Sequence, residues 1–571
     1  MKTKPHSALA LPRRRGLGWA ATAVEQVSGL ALLERLYGER PDAQSPADFI
    51  RFALQKLQIE PSLVAGSLES LPQQGPVIVI CNHPFGAADG LVLADLLLRR
   101  RPDLLIFANE LLRRIPEIAP LIAPVDVFRP GASLAGVRAA LRHLQQGGML
   151  VVFPAGEVSR LDWRDRRVAD RPWAESVALL ARRSGADLLP MHIEGQARWS
   201  SLLAGAVHPR LRTTCLPQDL LHQREHAVRV HLGETVTARE LSRIAPTAQT
   251  AYLRLLSDSL GLRMGSTRIE PFAGMPIAAE QPVAVLAAEV AALPANCLLC
   301  QQDAFAVYLA DAGQMPALLL EIGRLRELSF RQVQEGSGQA CDIDGFDAHY
   351  KHLFVWHREQ QQIIGAYRLG FTESAPSVSA LYTHTLFDFD ARLLAHLGPA
   401  IELGRSFVRP EWQRNFRALR LLWSGIAAVL DRHPDIRCLF GPVSISASYS
   451  LLGRVLMETA LSTHHSDGEL RALVKPRTPS AVSRLNPETR QVVAALSDPA
   501  LLSRLVSRVE RGSGLPVLLR HYLDLKGRFA GFNIDADFGN TLDGLVFVQV
   551  ADIPPATRAK FSQLTRPEAV R

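Results

Sequence analysis

The stretch VIVICNHPFGAADGLVL, residues 77–93, changes character in its middle. Val77, Ile78, Val79 and Ile80 form a β-branched apolar run of the kind that builds a buried strand. Pro84 and Gly86 end the run, and Asp89 opens an apolar-periodic stretch with Leu91, Val92, Ala94, Leu96 and Leu97. Strand, tight loop and helix in so short a span make half of an α/β unit. A histidine at the strand's end, with a carboxylate soon after it, is how a fold presents a general base and its orienting partner. The same residues admit a plainer reading, in which Asp89 caps the helix and His83 is a loop side chain. Cys81 admits a thiol–imidazole nucleophile with His83, a reading disfavoured because alternation places Cys81 inside the buried strand end.

Three more segments follow in order. ELLRRIPEIAPLIAPVDVFR spans 110–129, GGMLVVFPAGEVSR spans 147–160 and ADLLPMHIEG spans 186–195. The second shows a strand, Met149 to Phe153, that breaks at Pro154; the third is a short buried strand ending near Pro190. Helical stretches at 131–146 and 173–184 alternate with them, which predicts an α/β sheet with motifs gathered at strand ends. This series resembles the lysophospholipid acyltransferase family, and more closely its haemolysin-like branch. Asn82-His83 with Asp89 matches the family's first motif, including that branch's longer spacing. Phe153-Pro154-Ala155-Gly156-Glu157 with Arg160 matches the third, and Pro190 the last block. The resemblance covers roughly residues 60–240 and implies transfer of an acyl chain from a thioester to a hydroxyl. It implies His83 as the base, Asp89 as its orienting partner, and Asn82, Glu157 and Arg160 as substrate-binding residues.

The whole chain has 571 residues, 47% hydrophobic and 21% charged, which fits a globular protein of more than one domain. Six scattered cysteines exclude a disulfide scaffold and fit a reducing compartment; Cys297-x-x-Cys300 has no second pair at zinc spacing, so no metal site is expected. No uninterrupted apolar run is long enough for a membrane span. Of the net charge of +8, residues 1–280 carry +7, from 34 Lys and Arg against 27 Asp and Glu. A basic half without any nucleic-acid motif, with a dense segment RLDWRDRRVADR at 160–171, fits an anionic membrane surface at least as well as nucleic acid. Two amphipathic stretches, around 20–37 and 47–58, are candidate interfacial helices, although packing on the domain core is the commoner fate of such faces. A boundary is expected near 270–295, where neither helix nor strand period is visible.

The second half reads as an amide-forming transferase. Arg326 and Phe330 lie one helical turn apart, Asp344 and Asp347 follow, then the strands HLFVWH and IIGAYRL, then Glu402 and Arg405 in a strand-like run. These positions, with Gly365-Arg368-Leu369, resemble the GNAT superfamily, specifically ornithine N-acyltransferases and their cousins the acyl-homoserine-lactone synthases. Coverage is about 296–552. The resemblance implies Glu402 as acceptor of the amine proton and Arg405 or Arg368 as carboxylate binders. It implies Asp344 and Asp347 as partners of a second ammonium or organisers of a loop, with Arg326 among the substrate-binding residues. Acetyl-CoA users hold pyrophosphate on a glycine-rich turn. Here the matching stretch RNFRALRLL, 414–422, has no glycine. That favours an acyl chain on the phosphopantetheine thioester of acyl carrier protein, with no other cofactor.

An O-acyltransferase fused to an N-acyltransferase resembles the bifunctional ornithine lipid synthases. The expectation is therefore an α/β protein of two domains, an acyltransferase-type α/β domain over 1–280 and a GNAT-like mixed α/β domain over 290–571. The second would acylate ornithine and the first would esterify the resulting lyso-ornithine lipid, on the inner face of the cell membrane as a peripheral cytoplasmic protein. The alternatives are the same reactions on glutamine, lysine or glycine, or a membrane-lytic haemolysin.

Overall fold

In the computed structural model, residues 29–42, 45–125, 134–162, 167–195, 217–262, 274–413, 416–480 and 485–562 are described. The chain forms two compact units, residues 1–263 with 486–495, and residues 264–485 with 496–571.

The first unit is an α/β layer structure. Its strands are β1 (Glu60–Ala65), β2 (Val77–Cys81), β3 (Leu104–Asn109), β4 (Ile122–Val125), β5 (Met149–Val152), the small pair β6 (Arg160–Asp162) and β7 (Arg167–Ala169), β8 (Asp187–Ile193) and β9 (Ala227–Leu232). Seven of them form one sheet in the order β1-β9-β8-β2-β5-β3-β4. All neighbours are parallel except β8 and β9. Every residue of β2 is buried, as an apolar run covered on both faces requires. Helices α1 (Leu30–Gly38) and α2 (Pro46–Leu57) precede the sheet, and α3 (Ala87–Leu98), α4 (Leu134–Gln145), α5 (Ser176–Ser184) and α6 (Pro246–Gly261) follow in turn.

The second amphipathic stretch takes the commoner of its two fates, and the domain bounds move. Helix α2 sends Phe49, Ile50, Leu54 and Leu57 into the core beside Val77, Val79, Leu93 and Leu97, so its apolar face is already covered. It is no free membrane anchor. Residues 20–28 of the earlier stretch, and 163–166 of the basic segment, lie outside the described residues. The domain boundary also differs from the reading of 1–280 and 290–571. Met275 and Ala278 hydrogen-bond to Gly338 and Ala340, inside the second unit. Helix Val283–Ala292 occupies the supposed linker; it is apolar on nearly all sides and so shows no helical period. Helix Pro487–Ala494 joins the first unit, burying Val492 and Val493, with the Gln491 amide donating to Thr247 O at 2.8 Å.

The second unit is a mixed sheet with helices on both faces. It contains β10 (Leu298–Gln302), β11 (Phe305–Asp311), β12 (Lys351–His357), β13 (Gln362–Phe371), β14 (Phe387–Phe389), β15 (Ala400–Val408), β16 (Cys438–Ile445), β17 (Val474–Pro476), β18 (Arg528–Asp535) and β19 (Thr541–Gln549). Eight are ordered β10-β11-β12-β13-β15-β16-β19-β18, and β14 pairs with β17. Helix α7 (Pro316–Gln332) packs Leu318, Ile322 and Leu325 on Phe354, Trp356 and Ala366. Helix α8 (Phe416–Arg432) covers the other face, where Gly425 fits against Val307 and Leu353.

One irregularity opens this sheet. β15 and β16 pair in parallel only as far as Glu402 and Phe440, although both strands continue. The register shifts between Ala366 and Arg368 of β13, opposite Phe407 and Gly404 of β15, so Arg405 and Ser406 bulge. Arg405 adopts φ 48°, a left-handed conformation that is costly for a side-chain-bearing residue and is found where function demands it. On β16, Pro442 has no N–H to offer a neighbour. Arg405, Ser406, Pro442 and Ser444 are only half-buried although both strands are internal, which marks a cleft.

Two candidate active sites

In the first unit, His83 follows the end of β2, next to the end of β5 that carries Phe153. C-terminal strand ends in open α/β sheets are where ligands collect. Gly86 takes φ 76° to turn the chain into α3, and Asp89 sits in that helix's first turn. Asp89 Oδ2 accepts three hydrogen bonds, from His83 Nδ1 at 2.8 Å, Phe85 N at 2.9 Å and Gly86 N at 3.0 Å. The helix-capping and imidazole-orienting readings of Asp89 are therefore one arrangement. With Nδ1–H donated to Asp89, Nε2 is the basic nitrogen left for substrate. Asp89 is fully buried, and its Oδ1 has no partner among the described residues. Burial pushes its carboxyl upward despite the bond from His83.

The imidazole plane is fixed by Phe153, stacked at 4.1 Å between ring centroids. The loop after Phe153 returns so that Ser159 N donates to His83 O at 2.9 Å. Asp170 organises the underside: it accepts from Ser159 Oγ at 2.5 Å, Trp173 Nε1 at 3.1 Å and His83 N at 3.4 Å. Sequence reasoning missed Asp170, which lies inside the segment read only as basic surface. The later Trp173 was the available signal. Asn82 faces inward rather than toward substrate: its amide donates to Ile193 O at 2.9 Å and accepts from Ile193 N at 2.7 Å, tying β2 to β8. Glu157 pairs with Arg171, and Arg160 is exposed at the start of β6. Buried Cys81 has its thiol pushed well up by desolvation, which removes it as a nucleophile.

In the second unit, the predicted charges converge. Arg326 of α7 bonds Asp347 at 2.8 Å, both fully buried. Arg368 of β13 bonds Asp344 at 2.5 Å and Asp347 at 3.3 Å through Nη1. Arg405 lies 3.7 Å from Asp342 and 3.8 Å from Asp344. Burial alone would raise Asp347, but Arg326 and Arg368 reverse this and hold it at about 2. The same burial and Arg326 press His352 down to about 4, so it is neutral. Asp344 and Asp347 are thus neutralised inside the protein, and the expectation that they meet a substrate ammonium is corrected.

Glu402 also changes role. Its Oε1 accepts from Thr383 N at 2.6 Å; its Oε2 accepts from Tyr382 N at 3.1 Å and from the Tyr350 hydroxyl. Both oxygens hold donors in a fully buried place, so Glu402 anchors the 382–385 turn and does not offer an open base. Gly370, opposite Glu402, makes this possible, because a Cβ there would lie 2.5 Å from the Tyr350 ring.

The unfilled chemistry belongs to Arg368. Its guanidinium lies 4.9 Å from the Tyr382 ring, 5.4 Å from Tyr350 and 5.7 Å from Phe346. Nη1 holds the acidic pair, while Nε and Nη2 have no partner among the described residues. That edge is the fork that grips a carboxylate bidentately. The aromatic residues Tyr350 and Tyr382, like Asp342 and Asp543, were not singled out from sequence. Asp543 left a readable trace, a lone carboxylate in the apolar run TLDGLVFV.

Residues 26–254 match a family described as acyltransferase, and residues 325–424 match the acetyltransferase (GNAT) domain. The chain is similar to a glycine N(alpha)-acyltransferase of Bacteroides thetaiotaomicron, 31% identical over 46% of this chain and 84% of the relative. It is similar to an L-ornithine N(alpha)-acyltransferase of Brucella abortus, 29% identical over 44% of this chain and 89% of the relative. A lyso-glycine lipid O-acyltransferase of Phocaeicola vulgatus is 24% identical over 26% of this chain and 52% of that relative.

Proposed function

From a chain that belongs to the family of amino-acid Nα-acyltransferases and carries a second acyltransferase unit ahead of that domain, we propose that it makes a two-chain aminoacyl lipid. The second unit joins a 3-hydroxyacyl chain to the α-amine of an amino acid. The first unit then esterifies the new 3-hydroxyl with another acyl chain. The observation that carries this reading is one chain holding both a hydroxyl-activating His83–Asp89 pair and a carboxylate-seeking Arg368 fork. The product of the second site is the acceptor of the first.

In the first unit, His83 Nε2 takes the hydroxyl proton as the ester bond forms, and the Asp89 carboxylate stabilises the resulting imidazolium. Arg160, exposed beside the strand end, and Glu157 are the groups nearest in sequence to meet the head group. In the second unit, the Arg368 fork holds the amino acid's carboxylate, with Arg405 beside it. The cleft between β15 and β16 takes the donor's extended thioester arm, whose amides find unpaired strand edges there. Acyl carrier protein is the donor we assign, supported by the glycine-free stretch at 414–422. Attachment to an anionic membrane is supported by the basic first half; no helix among the described residues is long and apolar enough to cross a membrane.

Ornithine is the amino acid we assign, supported by two relatives named for it and by the surplus of buried carboxyls around Arg405, which suits a cationic acceptor. A second reading, glycine, is favoured by relatives at 31% identity. Expression in a host without aminoacyl lipids, fed labelled ornithine or glycine, tests this by lipid mass spectrometry. Ester and amide products carrying ornithine are expected. Label only from glycine would replace ornithine, and no acylated amino acid at all would overturn the reading.

A further inference from the structure

From Leu542 to Val548, β19 is apolar except at Asp543, which is buried with only 3% exposure. Residues directly opposite one another in a sheet point to the same face. Arg368 lies opposite Gly404, Glu402 opposite both Gly370 and Phe440, Phe440 opposite Phe547, and Ser444 opposite Asp543. Alternation along the strands then puts Arg368, Glu402, Phe440, Ser444 and Asp543 on one face. Arg368 and Arg405 stand on one side of the cleft where β15 and β16 part, and Asp543 stands on the other.

Three segments close around Asp543. The Ser446 hydroxyl, just past β16, donates to Val333 O at 2.8 Å. Gly539, in the β18–β19 turn, packs so tightly on the Gln334 carbonyl that a Cβ would sit 2.0 Å from it. Phe538 of that turn rests on Phe330 at 5.1 Å and under the Arg405 guanidinium at 4.8 Å. The charged and titratable groups facing Asp543 are Arg405 from β15, Asp535 from β18, Glu335 from the segment after α7, and Tyr382 from the turn held by Glu402. The Ser444 hydroxyl hydrogen-bonds it, and Thr541 Oγ1 lies 3.5 Å away.

We propose that Asp543 is the catalytic residue that takes the proton from the amino acid's nitrogen, an assignment that rests on the amide-forming reading above. The Arg368 fork, buried and unpartnered on the same face, points independently to an amino acid bound in this cleft. Glu402 is the weaker candidate, being fully buried and already accepting from two backbone N–H groups and the Tyr350 hydroxyl. Burial first, and Asp535 with it, raise Asp543 to about 7, against the opposing pull of Ser444 and Arg405. A base poised there is ionised often enough at neutral pH and strong enough to accept the proton. The amino acid arrives as an ammonium ion and Asp543 removes one proton. The freed lone pair forms the C–N bond at the thioester carbonyl carbon, the C–S bond breaks, and the sulfur leaves as a thiol carrying a second nitrogen proton. Asp543 then returns its proton to water on the half-exposed Ser444 side.

The test is the pH dependence of amide formation by the full-length chain, with 3-hydroxyacyl carrier protein or acyl-CoA as donor and ornithine or glycine as acceptor. Asp543→Asn is expected to lower kcat at least about a hundredfold with a much smaller change in KM for the amino acid. Ser444→Ala removes a bond that favours the carboxylate, so the acid limb of kcat/KM moves to higher pH. Asp535→Asn removes a like charge, so the limb moves to lower pH. A merely structural Asp543 would not give opposite shifts. The assignment is overturned if Asp543→Asn keeps kcat within about threefold, or if the limb stays fixed in both neighbouring variants. Should Asp543→Asn not fold, the two shifts decide. If the unaltered chain acylates neither amino acid with either donor, the amide-forming reading fails and this assignment with it.

Discussion

Asp89→Asn isolates charge from geometry at the hydroxyl site. One oxygen, Oδ2, accepts from His83 Nδ1, Phe85 N and Gly86 N, while Oδ1 is buried without a partner among the described residues. An asparagine carbonyl placed at Oδ2 keeps all three donors, so the imidazole retains its orientation and its Nδ1–H tautomer. What disappears is the negative charge facing the imidazolium. At a charge separation of about 4 Å and an effective dielectric of about 20, that attraction is worth about 4 kcal/mol. The expected loss is therefore about a thousandfold in the rate of ester formation. Stability moves differently. Burial raises Asp89, so its ionised form costs the folded state something that asparagine does not. The melting temperature should stay within about 3 °C of the parent, a change of about 1 kcal/mol. Asp89→Ala, by contrast, strands three donors and should melt clearly lower. The assay is acyl transfer by the full-length chain to a synthetic lyso-aminoacyl lipid, followed by mass spectrometry. An Asp89→Asn chain that keeps more than about a tenth of the rate, or that loses amide formation in parallel, would refute the reasoning.

Other outcomes follow from the same geometry. Arg368→Lys keeps a cation but loses the Nε–Nη2 fork, and should raise KM for the amino acid roughly tenfold to a hundredfold, measured by initial rates. Glu402→Gln keeps one acceptor and sets its NH2 against either Thr383 N–H or Tyr382 N–H; it should destabilise by about 1–3 kcal/mol in urea unfolding and loosen amino-acid binding. Residues 1–263 expressed alone lack Val492 and Val493, and should aggregate unless residues 486–495 are restored, as size-exclusion chromatography would show. Asp543 and Glu335, raised by burial to about 7 and about 8, bind more protons folded than unfolded between their ordinary values and these. Their contribution is complete below the ordinary carboxylate range and is lost as pH rises through 7 to 8. The melting temperature should fall over that window, and fall less in Asp543→Asn.

How legible the molecule was depends on whether a residue's role is local. β2 and the Pro84–Gly86 turn announce themselves, because a β-branched run followed by turn residues has few other structures open to it. Strands β12, β13, β15 and β16 were readable for the same reason, and helix α8 from its helical apolar period. Helix Val283–Ala292 was not, since a helix apolar on nearly every side has little period to detect. The family resemblance implies Asn82 as a substrate-binding residue, yet its amide fits the backbone of Ile193, 111 residues away. Asp344 and Asp347 look free in the sequence and are spent on Arg368 and Arg326 in the fold. Sequence spacing reports which charges exist. Only the register reports which of them remain unpaired.

The two units solve the problem of aiming a side chain in one way and reach different chemistry. In each, a buried carboxylate receives backbone N–H groups from a tight turn and holds one ring. Asp89 takes Phe85 N and Gly86 N and aims His83; Glu402 takes Tyr382 N and Thr383 N and holds Tyr350. The ring that Asp89 aims is an imidazole with its second nitrogen free to take a proton, so anchor and base form a single pair. The ring that Glu402 aims cannot, because burial and then Glu402 itself push the Tyr350 hydroxyl far upward. It serves instead to hold Tyr382 over the guanidinium of Arg368. A hydroxyl acceptor carries no charge and needs one base at its oxygen. An amino acid brings a carboxylate and an ammonium, so its site needs a fork at one end and a separate proton acceptor at the other. The cleft between β15 and β16 supplies that separation, with Arg368 on one side and Asp543 on the other.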